Sequence, residues 1–209
     1  MNYLRDPDKI YLASFEAINN EVNLSKFPES LHNIIVRLVH ATAMPDIINN
    51  IIWDGDVLGN AIKNIENAKP ILVDSNMILA GIKKSLLPAG IQVKCFLDAD
   101  GVLDIAKEMA TTRSAAAVEF WRPFLDGAIV SIGNAPTALF HLLDMLEDPA
   151  CPKPAVIFGF PVGFIGAAES KIHLIEKDLG IPYITLKGRL GGSALAAAAI
   201  NAILFEAIK

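Results

Sequence analysis

Residues 37 to 44 read RLVHATAM and place a histidine near the end of a stretch with helical spacing. Turning that helix by about 100° per residue gathers Leu31, Ile34, Ile35, Leu38 and Thr42 into one stripe, the expected core face. His40 points the opposite way, grouped with Asn33, Val36, Arg37 and Met44. A solvated back face is normally richer in Glu, Lys and Gln, whereas this one mixes an ionisable ring with apolar neighbours. Spacing therefore leaves two readings open, a surface histidine or one wall of a pocket. In the second, the chemistry is proton transfer, which an imidazole can carry out near neutral pH.

Other polar residues sit in unusual places. Arg113 falls in the first turn of the helix TTRSAAAVEFW, where a cation opposes the helix dipole. It either bends back to a carboxylate or shares a bound anion with the helix N–H groups, with Thr111, Thr112 and Ser114 as further donors. Ser14 shares the apolar side of the first helix with Ile10, Ala17 and Ile18. Its hydroxyl back-bonds to a carbonyl one turn earlier or points into a cavity. Asp74 closes the apolar run ILVD and reads first as a cap for the helix that follows.

Three apolar runs end in glycine-bearing loops: AIVSIG leads into NAPTALF, AVIFGF into PVGFIGAAES, and YITLK into GRLGGSALA. Glycine lets backbone approach a ligand closely, and each following helix offers free N–H groups to anions. Asn134, Gly163, Arg189 and Gly191 are the candidate ligand contacts in these loops, with Lys171 and Lys187 close by. No strand leads into GxGxxG with an acidic residue about 20 positions on, and there is no GxxxxGK[ST], so neither a dinucleotide nor a P-loop phosphate is indicated. The loops point to a large anionic ligand of another kind. His32, His141 and His173 are scattered, and no HExxH or Cys/His cluster occurs, so no metal site and no cofactor are expected. Cys95 and Cys151 lie far apart and are expected as buried thiols in a reducing cytoplasm.

The elements that must position these residues follow from rhythm. The first third of the chain reads as helical, with DKIYLASFEAINNEV, PESLHNIIVRLVHATA and a looser piece from about 46 to 67. Short β-rich runs then alternate with helical segments, at 71–74, 91–96, 128–133, 155–160 and 182–187. Continuous apolar strands between helices indicate a parallel sheet covered on both faces. The expected class is α/β, a three-layer sandwich with a mostly parallel sheet of about five strands and an N-terminal helical extension, all within one domain over residues 1–209. Ligands of such sheets bind beyond the carboxyl ends of the strands, where the three loops lie.

Of the 209 residues, 53% are hydrophobic and 20% charged, which excludes disorder. The mean hydropathy of +0.42 prompts a search for a membrane span. The most apolar segment, ALAAAAINAILF (194–205), is interrupted by Asn201 and closed by Glu206, short of the roughly 20 apolar residues a span needs. It reads as a helix buried in a core or at a subunit interface. The N-terminal MNYLRDPDK has no basic region followed by an apolar run, so no secretory signal is expected. A net charge of −5 argues against nucleic acid as a partner.

Taken together, IYLASFEAI, RLVHATAM, KPILVDSNMILAGI, TTRSAAA, IVSIGNAPTALF, KPAVIFGFPVGFIGAAESK and GRLGGSALAAAAINA span almost the whole chain in order. In these stretches the chain closely resembles the precorrin-8X methylmutases, including the cobalt-precorrin-8 enzymes of the anaerobic cobalamin pathway. The resemblance implies a homodimeric cytoplasmic α/β enzyme that moves a methyl group from C-11 to C-12 of a corrinoid ring, giving hydrogenobyrinate or cobyrinate. Its R-x-x-H-A motif falls on Arg37 to Ala41, which makes His40 the catalytic histidine, and its ligand-binding serine and arginine fall on Ser14 and Arg113. Such a shift needs neither a redox partner nor a methyl donor, only a proton placed on the conjugated system. A non-catalytic corrinoid carrier is the alternative, using the same crevice without needing His40.

Overall fold

A computed structural model describes residues 3–208. Six strands form one sheet: β1 (Ile51–Asp54), β2 (Ile71–Val73), β3 (Val93–Cys95), β4 (Ile129–Ile132), β5 (Val156–Gly159) and β6 (Tyr183–Leu186). Their order across the sheet is β1-β6-β5-β4-β2-β3. All neighbours run parallel except β1, which lies antiparallel to β6 with Ile51 opposite Leu186. The helices are α1 (Pro7–Glu21), α2 (Glu29–Thr42), α3 (Val57–Glu66), α4 (Asn76–Gly81), α5 (Val102–Glu108), α6 (Arg113–Glu119), α7 (Pro136–Met145), α8 (Ala167–Glu176) and α9 (Ser193–Ala207).

Alternation along each strand builds two cores. Ile71, Val73, Ile129, Val156, Phe158, Ile184 and Leu186 face α2, α3, α4 and α9. Leu72, Val130, Ile132, Ile157 and Tyr183 face α6, α7 and α8. Both faces of the central strands are therefore dry, which is why these runs read as unbroken apolar stretches rather than alternating ones.

The sheet has one strand more than the sequence rhythm indicates. Residues 46–67, read as loosely helical, divide into a 3-10 turn at Pro45–Asn50, the strand β1 and the helix α3. A four-residue edge strand with only Ile51 buried is too short to print a period of its own. The expected strand over 91–96 shortens to Val93–Cys95, a half-buried edge.

The Ala-rich C-terminal helix packs into the core of the chain. Ala196, Ala199, Ile200, Ala202 and Leu204 of α9 are fully buried between the sheet and α2. Small residues let α2 and α9 approach closely. Asn33 of α2 donates to the Ala202 carbonyl and to the Glu206 carboxylate at the far end of α9. By contrast α1 has no buried residue, and Ile10 and Leu12 on it are 43% and 67% exposed. Among the described residues no helix is long and apolar enough to cross a membrane.

Backbone contact between strand-end loops fixes the crevice floor. A Cβ on Gly133 would lie 2.7 Å from Cβ of Ala196 and 2.9 Å from both the Gly192 carbonyl oxygen and Cα of Ser193. Two of those three atoms are backbone and cannot swing aside. Gly133→Ala should therefore cost about 1–3 kcal/mol, the usual scale of overpacking a close-packed site. Urea unfolding checks this, and an unchanged midpoint at unchanged slope would contradict the packing described.

Candidate active site

The carboxyl ends of β2, β4, β5 and β6 open into a crevice whose floor is held by Asp74. Its carboxylate accepts three backbone N–H bonds from the loop after β4: Gly133 at 2.9 Å, Asn134 at 3.0 Å and Ala135 at 2.7 Å. Burial pushes this carboxyl above the usual carboxylate range, while the three N–H donors pull it back down. The capping role expected of Asp74 within its own segment belongs instead to Ser75, which accepts from the Ile78 N–H of α4. Asp74 reaches across to the neighbouring strand's loop because α7 begins with Ala135 and Pro136 and has no side-chain cap of its own. Ser75 also pairs with Ser193 at the start of α9, at 2.9 Å, a contact between residues far apart in sequence that no local signal announces.

The loops after β5 and β6 are knitted together. Gly192 N–H donates to the Phe160 carbonyl at 2.8 Å, and Gly163 N–H to the Arg189 carbonyl at 3.3 Å. A Cβ on Gly191 would run into the carbonyl oxygens of Phe160 and Pro161, so this glycine is required where two backbones touch. Gly163 itself is at φ 151°, a conformation that L side chains rarely adopt. Asn134 and Arg189 are exposed at the crevice, the Arg189 guanidinium lying 5.2 Å from the centroid of the Phe164 ring. Lys171 of α8 is fully buried beneath this pair of loops, donating to the Leu190 carbonyl at 2.6 Å. Burial alone pushes its pKa down to about 8.

His40 ends α2 on the same side of the sheet. Asn33, one turn into α2, meets the far end of α9, so the helix rises toward the crevice. The turn after it feeds β1, and the Asn50 carbonyl accepts from the Lys187 N–H just past β6. The ring of His40 is exposed, but the face it shares is not a solvated one. Val36 is buried, and α1 lies across this side of α2: the Phe15 ring lies 5.4 Å from that of His40, tilted by 37°, and Tyr11 accepts from Arg37 at 2.6 Å. Ala43, at φ 52°, ends the helix in a left-handed turn directly after this segment. His40, Ser14, Ile18, Glu21, Val39, Ala43 and Pro45 line a pocket of about 380 Å³. Ser14 is half-buried there, and its hydroxyl donates back to the Ile10 carbonyl at 2.8 Å. His40 thus lines this pocket while its ring stays exposed.

Arg113 lies elsewhere. Thr112 caps α6 by accepting from the Ala115 N–H, and the Arg113 guanidinium contacts Asp98 at 3.3 Å. It lines a second pocket of about 400 Å³ with Leu97, Asp98, Asp100, Gly101 and Lys107. This pocket is beyond β3, whereas His40 is above β6 and β1. The two strands β6 and β3 are four inter-strand spacings apart, roughly 19 Å. Within one chain, Ser14 and His40 share a pocket, Gly163, Arg189 and Gly191 form a second group at the crevice, Asn134 sits on the Asp74-held loop, and Arg113 stands at the opposite edge. Phe15, which backs the His40 ring, was not singled out by sequence, although its place one residue after Ser14 put it on the same helix turn. Both thiols are raised by burial, Cys151 in the core and Cys95 half-buried on the edge strand, which leaves neither as a ready nucleophile.

Comparison with known proteins adds an independent line. The profile of the family described as Precorrin-8X methylmutase matches residues 9–206. A precorrin-8X methylmutase of Pseudomonas aeruginosa is 45% identical over 206 residues, covering 99% of each chain. A cobalt-precorrin-8 methylmutase of Methanocaldococcus jannaschii is 37% identical, covering 90% of this chain and 85% of its own. The crystal structure of precorrin-8x methyl mutase from Thermus thermophilus superposes with a TM-score of 0.86 at 33% identity, covering 96% of each chain.

Proposed function

The chain belongs to the precorrin-8X methylmutase family, and from that premise we propose which of its residues carry the reaction. The protein is an isomerase of cobalamin biosynthesis acting on precorrin-8 or its cobalt form. Membership implies a 1,5 shift that takes a methyl group from C-11 to C-12 of the macrocycle. Substrate and product are isomers, so any proton lent to the ring must be recovered before the next turnover.

His40 is the group we assign to that proton. The observation that carries the assignment is its exposed ring, backed by Phe15 and sharing a pocket with Ser14 on the side of α2 that faces away from the core. A ring packed against a neighbour has fewer orientations to lose when it meets substrate, which favours a productive proton-transfer geometry. Protonating the conjugated system makes the migrating methyl's new position electron-poor, and the same imidazole then takes the proton back. Ser14 offers a hydroxyl a short distance from the transfer. The substrate's several carboxylates meet Arg189 and the glycine-loop amides, with Asn134 as a further donor and Arg113 at the outer edge. Apolar walls and a few charge-assisted hydrogen bonds are the ordinary recipe for holding a wide, polyanionic ring.

A homodimer, working in the cytoplasm, fits the same reading. On α1, Ile10 and Leu12 lie in the open on different faces of the helix, and Phe164 and Ile165 beside the crevice are 84% and 91% exposed. A second copy covering α1 would dry the wall of the His40 pocket, since α1 supplies Ser14, Ile18 and Glu21 to it.

His40→Ala should fold normally, since the ring is exposed and its loss leaves no packed cavity. It should still bind the corrinoid, while the methyl shift slows by about a hundredfold or more, the scale for removing a positioned acid. Visible spectroscopy of precorrin-8 turnover beside a binding titration separates the two effects. Near-normal turnover would remove His40 from the chemistry, and an equally inactive wild type that still binds would mark a carrier. Light scattering of the native protein should give twice the 22.5 kDa chain mass. A monomer with full turnover would contradict the dimer.

A further inference from the structure

Lys171 is a fully buried cation with no role in the chemistry assigned so far. It sits in the second turn of α8, and helical side chains lean toward the N-terminus of their helix, here toward the crevice. Its ammonium donates to the Leu190 carbonyl at 2.6 Å, within the charge-assisted range. Among the described residues no carboxylate lies within ion-pair distance of it. A buried charge answered only by a carbonyl is costly, and an apolar side chain of similar length would fill the same slot more cheaply. Its partner is not an arbitrary carbonyl. Leu190 follows Arg189 and precedes the Gly191–Gly192 pair, and this short segment is fastened at three consecutive places. The Arg189 carbonyl accepts from Gly163 N–H, the Leu190 carbonyl accepts from Lys171, and Gly192 N–H donates to Phe160. The outer two bonds join loop to loop. Lys171 ties Leu190 to α8, while Gly192 at the end of the segment caps α9, its carbonyl accepting from Ala196 N–H.

We propose that Lys171 is a positioning residue: its ammonium pins the Leu190 carbonyl so that Arg189 and the neighbouring glycine amides face the carboxylates of the substrate. This rests on the reading of the β6 loop as a carboxylate clamp. Without the pin, the peptide units on either side of Leu190 are free to rotate between their glycines, and the Arg189 guanidinium is no longer held over Phe164. The ammonium also sets a positive charge under the loop, of the sign that a polyanionic ligand needs. Lowering of the Lys171 pKa to about 8 agrees with a charge held in a dry slot without an anionic partner.

The test is a double-mutant cycle on the intact protein, read as KM and kcat for precorrin-8 and as the dissociation constant of hydrogenobyrinate. Lys171→Met should raise KM and the dissociation constant about tenfold, with kcat nearly unchanged, the scale of one charge-assisted bond lost at the ligand. Arg189→Ala should do the same. The double variant should lose clearly less binding than the product of the two single losses, because both changes act on one clamp. A variant destabilised far from the crevice, Leu142→Ala, should leave KM unchanged, which separates positioning from loss of stability. Should Lys171→Met not accumulate as folded protein, Lys171→Gln enters the cycle in its place, keeping an N–H donor on a shorter arm, with partial loss of binding expected. If Arg189→Ala weakens binding and the Lys171 variant does not, or if the two effects simply add, the positioning role is overturned while the clamp stands. Unchanged binding in Arg189→Ala overturns the clamp and the proposal with it.

Discussion

The crevice depends on a single buried carboxylate. Asp74, at the end of β2, gathers three successive backbone N–H groups from the loop after β4. Left without an acceptor in a dry interior, each of those N–H groups would cost as much as a lost hydrogen bond. Satisfying them all from one side chain holds Gly133, Asn134 and Ala135 in a tight arc. That arc sets the height at which α9 begins, because Gly133 packs directly on Gly192 and Ser193. The start of α9 in turn fixes Gly191 against Phe160 and Pro161. The three strand-end loops are thus one backbone assembly, and the side chains exposed along it inherit their positions from it.

The proton-transfer end of the site is built differently. Its parts come from α1 and α2, which precede the first strand, and the tilted contact of the Phe15 and His40 rings joins them. The core stripe of α2 anchors that helix on α9, while α1 is held by few interior contacts. One end of the site is therefore rigid backbone and the other a pair of helices whose outer member is lightly attached. Such a division suits a ligand that must be gripped by its carboxylates while one edge of its ring meets an acid–base group on a separate pair of helices.

Much of this was legible in the sequence, for identifiable reasons. Central strands buried on both faces print unmistakable apolar runs, so β2, β4, β5 and β6 and the loops at their ends could be placed from residues alone. The helix wheel of α2 correctly turned His40 away from the core, beside the buried Val36. Features that depend on distant pairing could not be read. The edge strand β1 exists because β6 offers it a partner, and its four residues carry no period. Asp74 looked like a local cap because sequence shows the helix after it, not the loop of a strand two crossovers away. Lys171 was visible as a cation near a loop, yet only the fold reveals that it faces inward to a carbonyl instead of outward to a ligand. Arg113 shares a sequence signature with the other anion-binding candidates but stands at the opposite edge of the sheet, beside Asp98.

The central claim is that the methyl shift takes place against His40 while the strand-end loops hold the ring's carboxylates. A crystal structure with hydrogenobyrinate bound tests it most directly. The expected result is the C-11/C-12 edge of the macrocycle within hydrogen-bond reach of the His40 imidazole, roughly 3 Å or one water away, with carboxylates on Arg189 and the loop amides. A macrocycle seated in the crevice with that edge turned away from His40 would contradict it.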